Sequence, residues 1–188
     1  MPRYPVIGIA GKARSGKDTL AQILLQLGVA RYRYSFAGPI RAMLKAGLGI
    51  DMDDPDWANR KERSVAHLGV TPRRLMQTLG TEWGRETIHR DIWVKEAQLH
   101  FMENGAGMVV TDVRFENEAE WIRLIGGLVV HIERSSAPPV EAHASEGGVT
   151  VSSGDAIVFN HGSRDELRAQ VAELFIRTDE VQQATIRG

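Results

Sequence analysis

The sequence predicts an α/β protein, a parallel five-stranded sheet with helices on both faces, on three observations. Short apolar runs alternate with segments of helical periodicity. The first run leads directly into a glycine-rich loop and then a helix. The chain has 188 residues, 43% of them hydrophobic, enough for one α/β domain with a full core.

Residues 5–10 (PVIGIA) read as a buried central strand. Residues 17–27 place Leu20, Ile23, Leu24 and Leu27 at helical spacing, with Gly28 as the stop. Residues 31–36 (RYRYSF) alternate and predict a second strand. Helices are expected over 39–48 and 59–68, separated by an acidic turn at 51–56. Thr71-Pro72 is an N-cap followed by proline at the first helical position, so a helix should run to about Leu79 and stop at Gly80. Another helix is expected over 92–102, ending near Asn104-Gly105.

Residues 107–111 (GMVVT) predict the third strand, residues 117–125 a helix closing on Gly126-Gly127, and residues 128–132 the fourth strand. The stretch 134–154, rich in Ser, Pro, Gly, Glu and His, reads as a lid-like loop. Residues 155–159 form the fifth expected strand, and a last helix covers about 163–176. The polar tail 178–188 is expected to fray. The whole chain, 1–188, reads as a single domain, with residues 38–104 as a long helical insertion of the kind that builds a substrate-binding flap.

Composition narrows the function classes. With 23 basic and 24 acidic residues the formal charge is −1, so no global field draws the chain to nucleic acid or anionic membrane. There are no cysteines, which excludes disulfides, thiolate zinc sites and a cysteine nucleophile and fits a reducing compartment. The first apolar run is too short for a signal peptide or a span, so a cytoplasmic location is expected. No pair of the six histidines has zinc-ligand spacing; His143 and His161 lie in loops suspected of belonging to the active site. Trp57, Trp93 and Trp121 read as packing anchors, with Trp83 the exception beside Gly80-Thr81-Glu82.

Residues 11–17 (GKARSGK) match G-x-x-x-x-G-K between an expected strand and an expected helix, the context of a Walker A phosphate loop. Gly11 and Gly16 permit backbone geometry closed to other residues. Successive N–H groups then turn inward as an anion nest, and the helix N-terminus adds its positive end. Gly11, Ala13, Arg14, Ser15, Gly16, Lys17, Asp18 and Thr19 are the expected ATP-binding residues, with Lys17 reaching the β- and γ-phosphates. Asp18 stands where a magnesium-binding Ser or Thr is usual, so the loop's metal oxygen falls to Asp18, through water, or to Thr19.

Asp112 ends the third expected strand, where an acid lies beside the phosphate loop and can orient metal-bound water. Arg114 follows at two residues and either contacts transferring charge or forms a surface ion pair. Arg134 begins the lid-like stretch. A phosphorylated acceptor calls for arginines, whose fork matches its oxygens; of those in the insertion, Arg74 and Arg85 are the preferred pair.

Several segments taken together resemble the bacteriophage-type deoxynucleoside monophosphate kinases: 11–19 (GKARSGKDT), 34–43 (YSFAGPIRAM), 74–85 (RLMQTLGTEWGR), 90–93 (RDIW), 111–118 (TDVRFENE), 143–146 (HASE) and 160–167 (NHGSRDEL). They spread over nearly the whole chain. The resemblance implies a three-layer P-loop NTPase fold of nucleoside monophosphate kinase type, with Mg2+ as cofactor and ATP and a dNMP as small-molecule substrates. It implies that Lys17 binds donor phosphates, Asp112 lies near the metal, and Asn160 sits near the adenine. By the same resemblance Phe36, Arg41, Gln77, Thr81, Glu82 and Arg85 line the acceptor pocket and Arg134 belongs to the lid. Gly38 departs from the acidic residue expected in Phe-Ala-Asp-Pro, so a role of that acid in holding sugar or base does not carry over.

The expected reaction is ATP + dNMP → ADP + dNDP, with catalytic roles for Lys17, Asp112, Arg114 and Arg134. A kinase of another small phosphorylated acceptor, such as phosphomevalonate, is the nearest alternative; a nucleotide-binding switch is another. An Asn-Lys-x-Asp guanine motif and a Leu-Ser-Gly-Gly-Gln signature are both absent from the sequence. A homodimer is the expected assembly, with no nucleic-acid or membrane partner.

Overall fold

The structure, a computed structural model, describes residues 2–52, 54, 56–134 and 148–186; the side chains of residues 57, 58 and 176–186 lie outside that description. By contacts the chain forms two compact units, residues 1–34 with 103–188, and residues 35–102. The second of these overlaps the stretch 38–104.

The first unit is built on five parallel strands: β1 (Val6–Ala10), β2 (Tyr32–Tyr34), β3 (Met108–Val113), β4 (Leu128–Glu133) and β5 (Ala156–Phe159). Their order is β2-β3-β1-β4-β5, which puts β1 at the centre. Every residue of β1 is buried, as its uninterrupted apolar run requires of a strand covered on both faces. The second strand is shorter than the expected 31–36, because pairing with β3 covers only Tyr32 to Tyr34.

Helices cover both faces. On one, α1 (Lys17–Gln26) and α7 (Arg164–Ile186) bury Leu20, Ile23, Leu24, Leu167 and Val171 against Ile7 and Ile9. These α1 positions, at 3.6-residue spacing, account for its amphipathic pattern, and burying each contributes about 2 kcal/mol. On the other face α6 (Glu116–Leu124) packs on β1 and β4 through the fully buried Ala119 and Ile122. α7 begins with a capping box: Ser163 Oγ accepts from the Glu166 N–H, and Glu166 accepts from the Ser163 N–H. The helix extends beyond the expected residue 176, to Ile186.

At the β3–α6 turn, Glu118 is 1% exposed and its Oε2 accepts from the N–H groups of Arg114 and Phe115 at 2.8 and 3.1 Å. A buried carboxylate at the third helical position thus satisfies two backbone donors, the work of half a capping box, since Phe115 has no acceptor to return.

The second unit contains α2 (Gly38–Leu48), α3 (Trp57–Arg60), α4 (Pro72–Gln77), a π-helical segment (Thr78–Ile88) and most of α5 (Ile92–Asn104). Two expectations are corrected here. The helix expected over 59–68 is a single turn, α3, followed by turns and an isolated antiparallel bridge between Val65 and Val70. The Thr71 cap is present, its Oγ1 accepting from the Arg74 N–H at 3.2 Å, but Gly80 does not end the helix. The backbone continues as π-helix through it. The physical reason is packing: a Cβ at Gly80 would meet Ile40 at 2.9 Å and one at Gly84 the Trp93 ring at 2.6 Å. The glycines here allow close approach, and Trp93, 2% exposed, donates from Nε1 to the Gly80 carbonyl at 2.7 Å. An inserted donor of this kind disturbs the regular helical ladder. Trp93 and Trp121 are packing anchors as expected, and Trp83 is 38% exposed. The side chain of Trp57 lies outside the described residues.

An ionic network fixes the chain where it enters β5. The Asp155 side chain, 1% exposed, accepts from Arg123 Nε and Nη2 at 3.0 and 2.7 Å, from the Ser152 N–H at 2.9 Å, and pairs with His131 Nε2 at 2.9 Å. Arg123 also reaches Glu116 Oε1 at 2.8 Å and the Thr150 carbonyl at 2.9 Å. Burial works against the Asp155 carboxylate, yet the Arg123, Ser152 and His131 hydrogen bonds outweigh it and hold the carboxyl below the ordinary range. The Asp155 bonds, with that to Glu116, raise the Arg123 guanidinium above its usual value.

A depressed carboxyl stabilises the fold above its unfolded pKa, and that contribution disappears as pH falls through the lower folded value. Asp155→Asn should therefore cost about 2 kcal/mol at pH 7, and the gap to the parent should start to narrow below about pH 4. Urea denaturation of both proteins from pH 7 to pH 3 checks this; a pH-independent gap would contradict an ionised Asp155.

Candidate functional site

The chain leaves β1 at Ala10 and turns through residues 11–16 into α1. Because β1 lies between β3 and β4, the chain's connections depart to opposite sides of it, β2 and β3 on one, β4 and β5 on the other. The carboxyl end of a strand at such a reversal is where parallel sheets leave a crevice. The sequence places its glycine-rich loop there.

The loop backbone departs from ordinary geometry at three residues. Gly11 has φ 154° and Gly16 φ 104°, and Arg14 is the one described non-glycine residue with positive φ, at 63°. A side chain at Gly16 would also overlap the Asn160 carboxamide. Arg14 held in the left-handed region costs about 1 kcal/mol, a strain concentrated at functional loops. Gly16 is the N-cap of α1 and supplies no side-chain cap, so the first-turn N–H groups face the loop without an internal acceptor. Lys17 Nζ donates to the carbonyls of Gly11 and Lys12, each at 2.7 Å, which folds the ammonium over the loop. Ser15 is 1% exposed, and its Oγ is buried without a hydrogen-bond partner among the described residues. Backbone donors, a helix N-terminus, an ammonium and an orphan hydroxyl converge here, a constellation suited to a polyphosphate.

The other expected residues of this unit divide into two groups. Asp112 is brought to the loop: it precedes Val113, which pairs with Ala10, the residue before Gly11. Asn160 is brought to it as well, its Nδ2 donating to the Ser15 carbonyl at 2.8 Å and its N–H to the Glu133 carbonyl at 2.8 Å. Arg134 follows that same Glu133 and is exposed, as is Arg114. Ala13 and Thr19 are partly buried within the loop and first turn. Asp18 is ion-paired with Arg33 of β2. That contact was not legible in the sequence, since Arg33 reads simply as the polar face of an alternating strand. His161 lies tilted against Phe159 with ring centroids 5.5 Å apart, and His143 falls outside the described residues.

The oxygens of Thr19 and Asp112 are of the hard type that magnesium takes, and such a site is completed by phosphates and water rather than by an all-protein cage. Asp18, engaged with Arg33, fits the role less well than Thr19.

In the second unit, Arg74 of α4 pairs with Glu82 of the π-helical segment, Nη2 to Oε1, at 2.7 Å. Gln77 closes α4, and Thr81, Glu82 and Arg85 lie on the π-helical segment and are partly buried. Thr87 Oγ1 donates to the Glu82 carbonyl at 2.8 Å. Arg41 is partly buried on α2, whereas Phe36 is 3% exposed and belongs to the core. π-Helical turns recur at functional sites, and this one carries three of the residues expected to meet the acceptor.

Comparison with known proteins agrees with this chemistry. The sequence profile of the family described as deoxynucleotide monophosphate kinase matches residues 58–171. The deoxynucleotide monophosphate kinase of Enterobacteria phage T4 is 32% identical, over 88% of this chain and 96% of that one. That of Escherichia phage RB69 is 36% identical over 106 residues, 54% of this chain and 43% of that one. The deoxynucleoside-5'-monophosphate kinase of Escherichia phage T5 is 24% identical, over 77% and 84%. Among solved structures, dephospho-CoA kinase from Campylobacter jejuni superimposes with a TM-score of 0.52 at 13% identity, covering 95% of this chain and 99% of that one, a likeness of fold. The three-layer P-loop kinase fold, the phosphate loop and the family match agree: this chain belongs to the deoxynucleotide monophosphate kinase family.

Proposed function

We propose that this chain transfers the γ-phosphoryl group of ATP to a deoxynucleoside monophosphate, giving ADP and dNDP. The observation that carries the reading is the phosphate loop at the end of β1, with left-handed Gly16 and the Lys17 ammonium folded over it, in a chain of this family. An oxygen of the acceptor's own phosphate attacks the γ-phosphorus, and the bond from that phosphorus to the β–γ bridging oxygen breaks, leaving ADP. At neutral pH the acceptor phosphate is already largely dianionic, so the step needs no general base. The protein's work is alignment and charge neutralisation.

Lys17 exchanges its two loop carbonyls for β- and γ-phosphate oxygens. The loop N–H groups, Gly16 among them, hold the β-phosphate. Thr19 and Asp112 are the residues we assign to hold Mg2+, which when bound supplies charge neutralisation at the donor phosphates. Arg114 and Arg134, both exposed, are assigned to the transferring phosphoryl group. Arg41, Gln77, Thr81 and Arg85 are assigned to the acceptor, with the Arg74–Glu82 pair ordering the π-helical segment that carries Thr81 and Arg85. Phe36, buried, supports this unit from its core.

An assay of ADP release with magnesium-ATP against dNMPs, NMPs and phosphomevalonate should show stimulation by dNMPs, with the dNDP resolved by chromatography. Phosphomevalonate as the only active acceptor would overturn the substrate class. Lys17→Ala should lower kcat by about a hundredfold or more while the circular dichroism melt stays near that of the parent. Arg85→Ala should raise KM for the dNMP about tenfold and leave KM for ATP unchanged, in line with the loss of a charge-assisted bond. Equal changes in both constants would remove Arg85 from the acceptor site.

A further inference from the structure

Asn160 stands one residue beyond β5 and far in sequence from the phosphate loop, yet its carboxamide is bonded into that loop. Nδ2 donates to the Ser15 carbonyl at 2.8 Å, and the carboxamide lies so close to Gly16 that any side chain there would overlap it. The contact is therefore directed at one peptide unit, the one joining Ser15 to Gly16. In a planar trans peptide the C=O and the N–H point in opposite directions. A donor that holds the Ser15 carbonyl toward Asn160 thereby holds the Gly16 N–H away from it, into the loop. Gly16 is the N-cap of α1 and sits at φ 104°, so its peptide is free of the side-chain restraints that would otherwise fix it. An unrestrained glycine peptide can flip and present its carbonyl to an anion, which converts attraction into repulsion.

Asn160 is itself well fixed. Its N–H donates to the Glu133 carbonyl at 2.8 Å and continues the β4–β5 ladder by one step. The opposite end of β5 is tied by Asp155, which precedes Ala156 and is held by Arg123, His131 and the Ser152 N–H. The four residues of β5 thus span a rigid tie at one end and the phosphate loop at the other.

We propose that Asn160 is a positioning residue for phosphoryl transfer: its carboxamide locks the Ser15–Gly16 peptide so that the Gly16 N–H faces the donor's phosphates. The role rests on the kinase reading for its consequence in turnover, but not for its consequence in phosphate binding. It differs from a contact with adenine, which would be felt only by the base.

The test uses the full chain with Asn160→Leu, similar in size and without the donor, and Asn160→Asp as a second variant that replaces the donor with an acceptor. Tripolyphosphate binding, measured by calorimetry in the presence of magnesium, reads the loop without any base. Loss of the lock should weaken it about tenfold in Asn160→Leu, the effect of one charge-assisted hydrogen bond, and further in Asn160→Asp. The ratio of kcat/KM for ATP to that for GTP should stay at the parental value as both fall together. Parental tripolyphosphate affinity in either folded variant would overturn the proposal, and a shifted ATP-to-GTP ratio beside it would assign Asn160 to the base instead. A parent protein that phosphorylates no dNMP would defeat the kinase reading alone, since the tripolyphosphate measurement still decides the role of Asn160.

Discussion

The burial of β1 is the constraint on which the rest of the first unit depends. A strand with β3 on one side, β4 on the other and helices over both faces has no freedom in register or direction. Its last residue, Ala10, is consequently fixed, and the loop that follows starts from a rigid base. On such a base a run of backbone N–H groups can be held in fixed directions. Ile7 and Ile9 face α1 and α7, so the same side chains that hold the sheet together also anchor the helix whose N-terminus completes the anion site.

That arrangement separates the source of binding from the source of stability. The loop is built from glycines, a strained Arg14 and an orphan Ser15 hydroxyl, none of which contributes to the core. Stability is supplied below it, by the apolar faces of α1, α6 and α7, and beside it, by the Asp155 network and the Glu118 cap. Local rules are broken where the chemistry is expected and obeyed elsewhere, as consistency across levels requires of a foldable chain. The second unit repeats the pattern on a smaller scale. Gly80 and Gly84 accept close contact from Ile40 and Trp93, and the resulting π-helical backbone offers its Thr81, Glu82 and Arg85 side chains at a spacing that an α-helix does not have.

Much of this was legible from local sequence. The apolar run of residues 5–10, the G-x-x-x-x-G-K spacing and the apolar periodicity of residues 20–27 are short-range signals, and each specifies its element without reference to the rest of the chain. The Thr71-Pro72 start of α4 is local in the same sense, since cap and proline act within one turn. Misreadings arose where a distant partner overrides local preference. Gly80 reads as a helix stop, but the Trp93 indole and Ile40 make it a packing position instead. The weak periodicity of residues 59–68 loses to a bridge between Val65 and Val70.

The sequence by itself determined the class of fold, the location of the phosphate loop and the family pattern, because strand burial, glycine geometry and helix periodicity are encoded within a few consecutive residues. Only the tertiary structure decided that Asp18 meets Arg33, that Arg123, His131 and Asp155 form one network, and that Asn160 reaches Ser15. The last of these partners are separated by 145 positions, and a hydrogen bond of 2.8 Å over that separation leaves no periodicity or spacing behind it. It exists because parallel strands β1 and β5, on either side of β4, deliver their carboxyl ends to the same edge of one sheet.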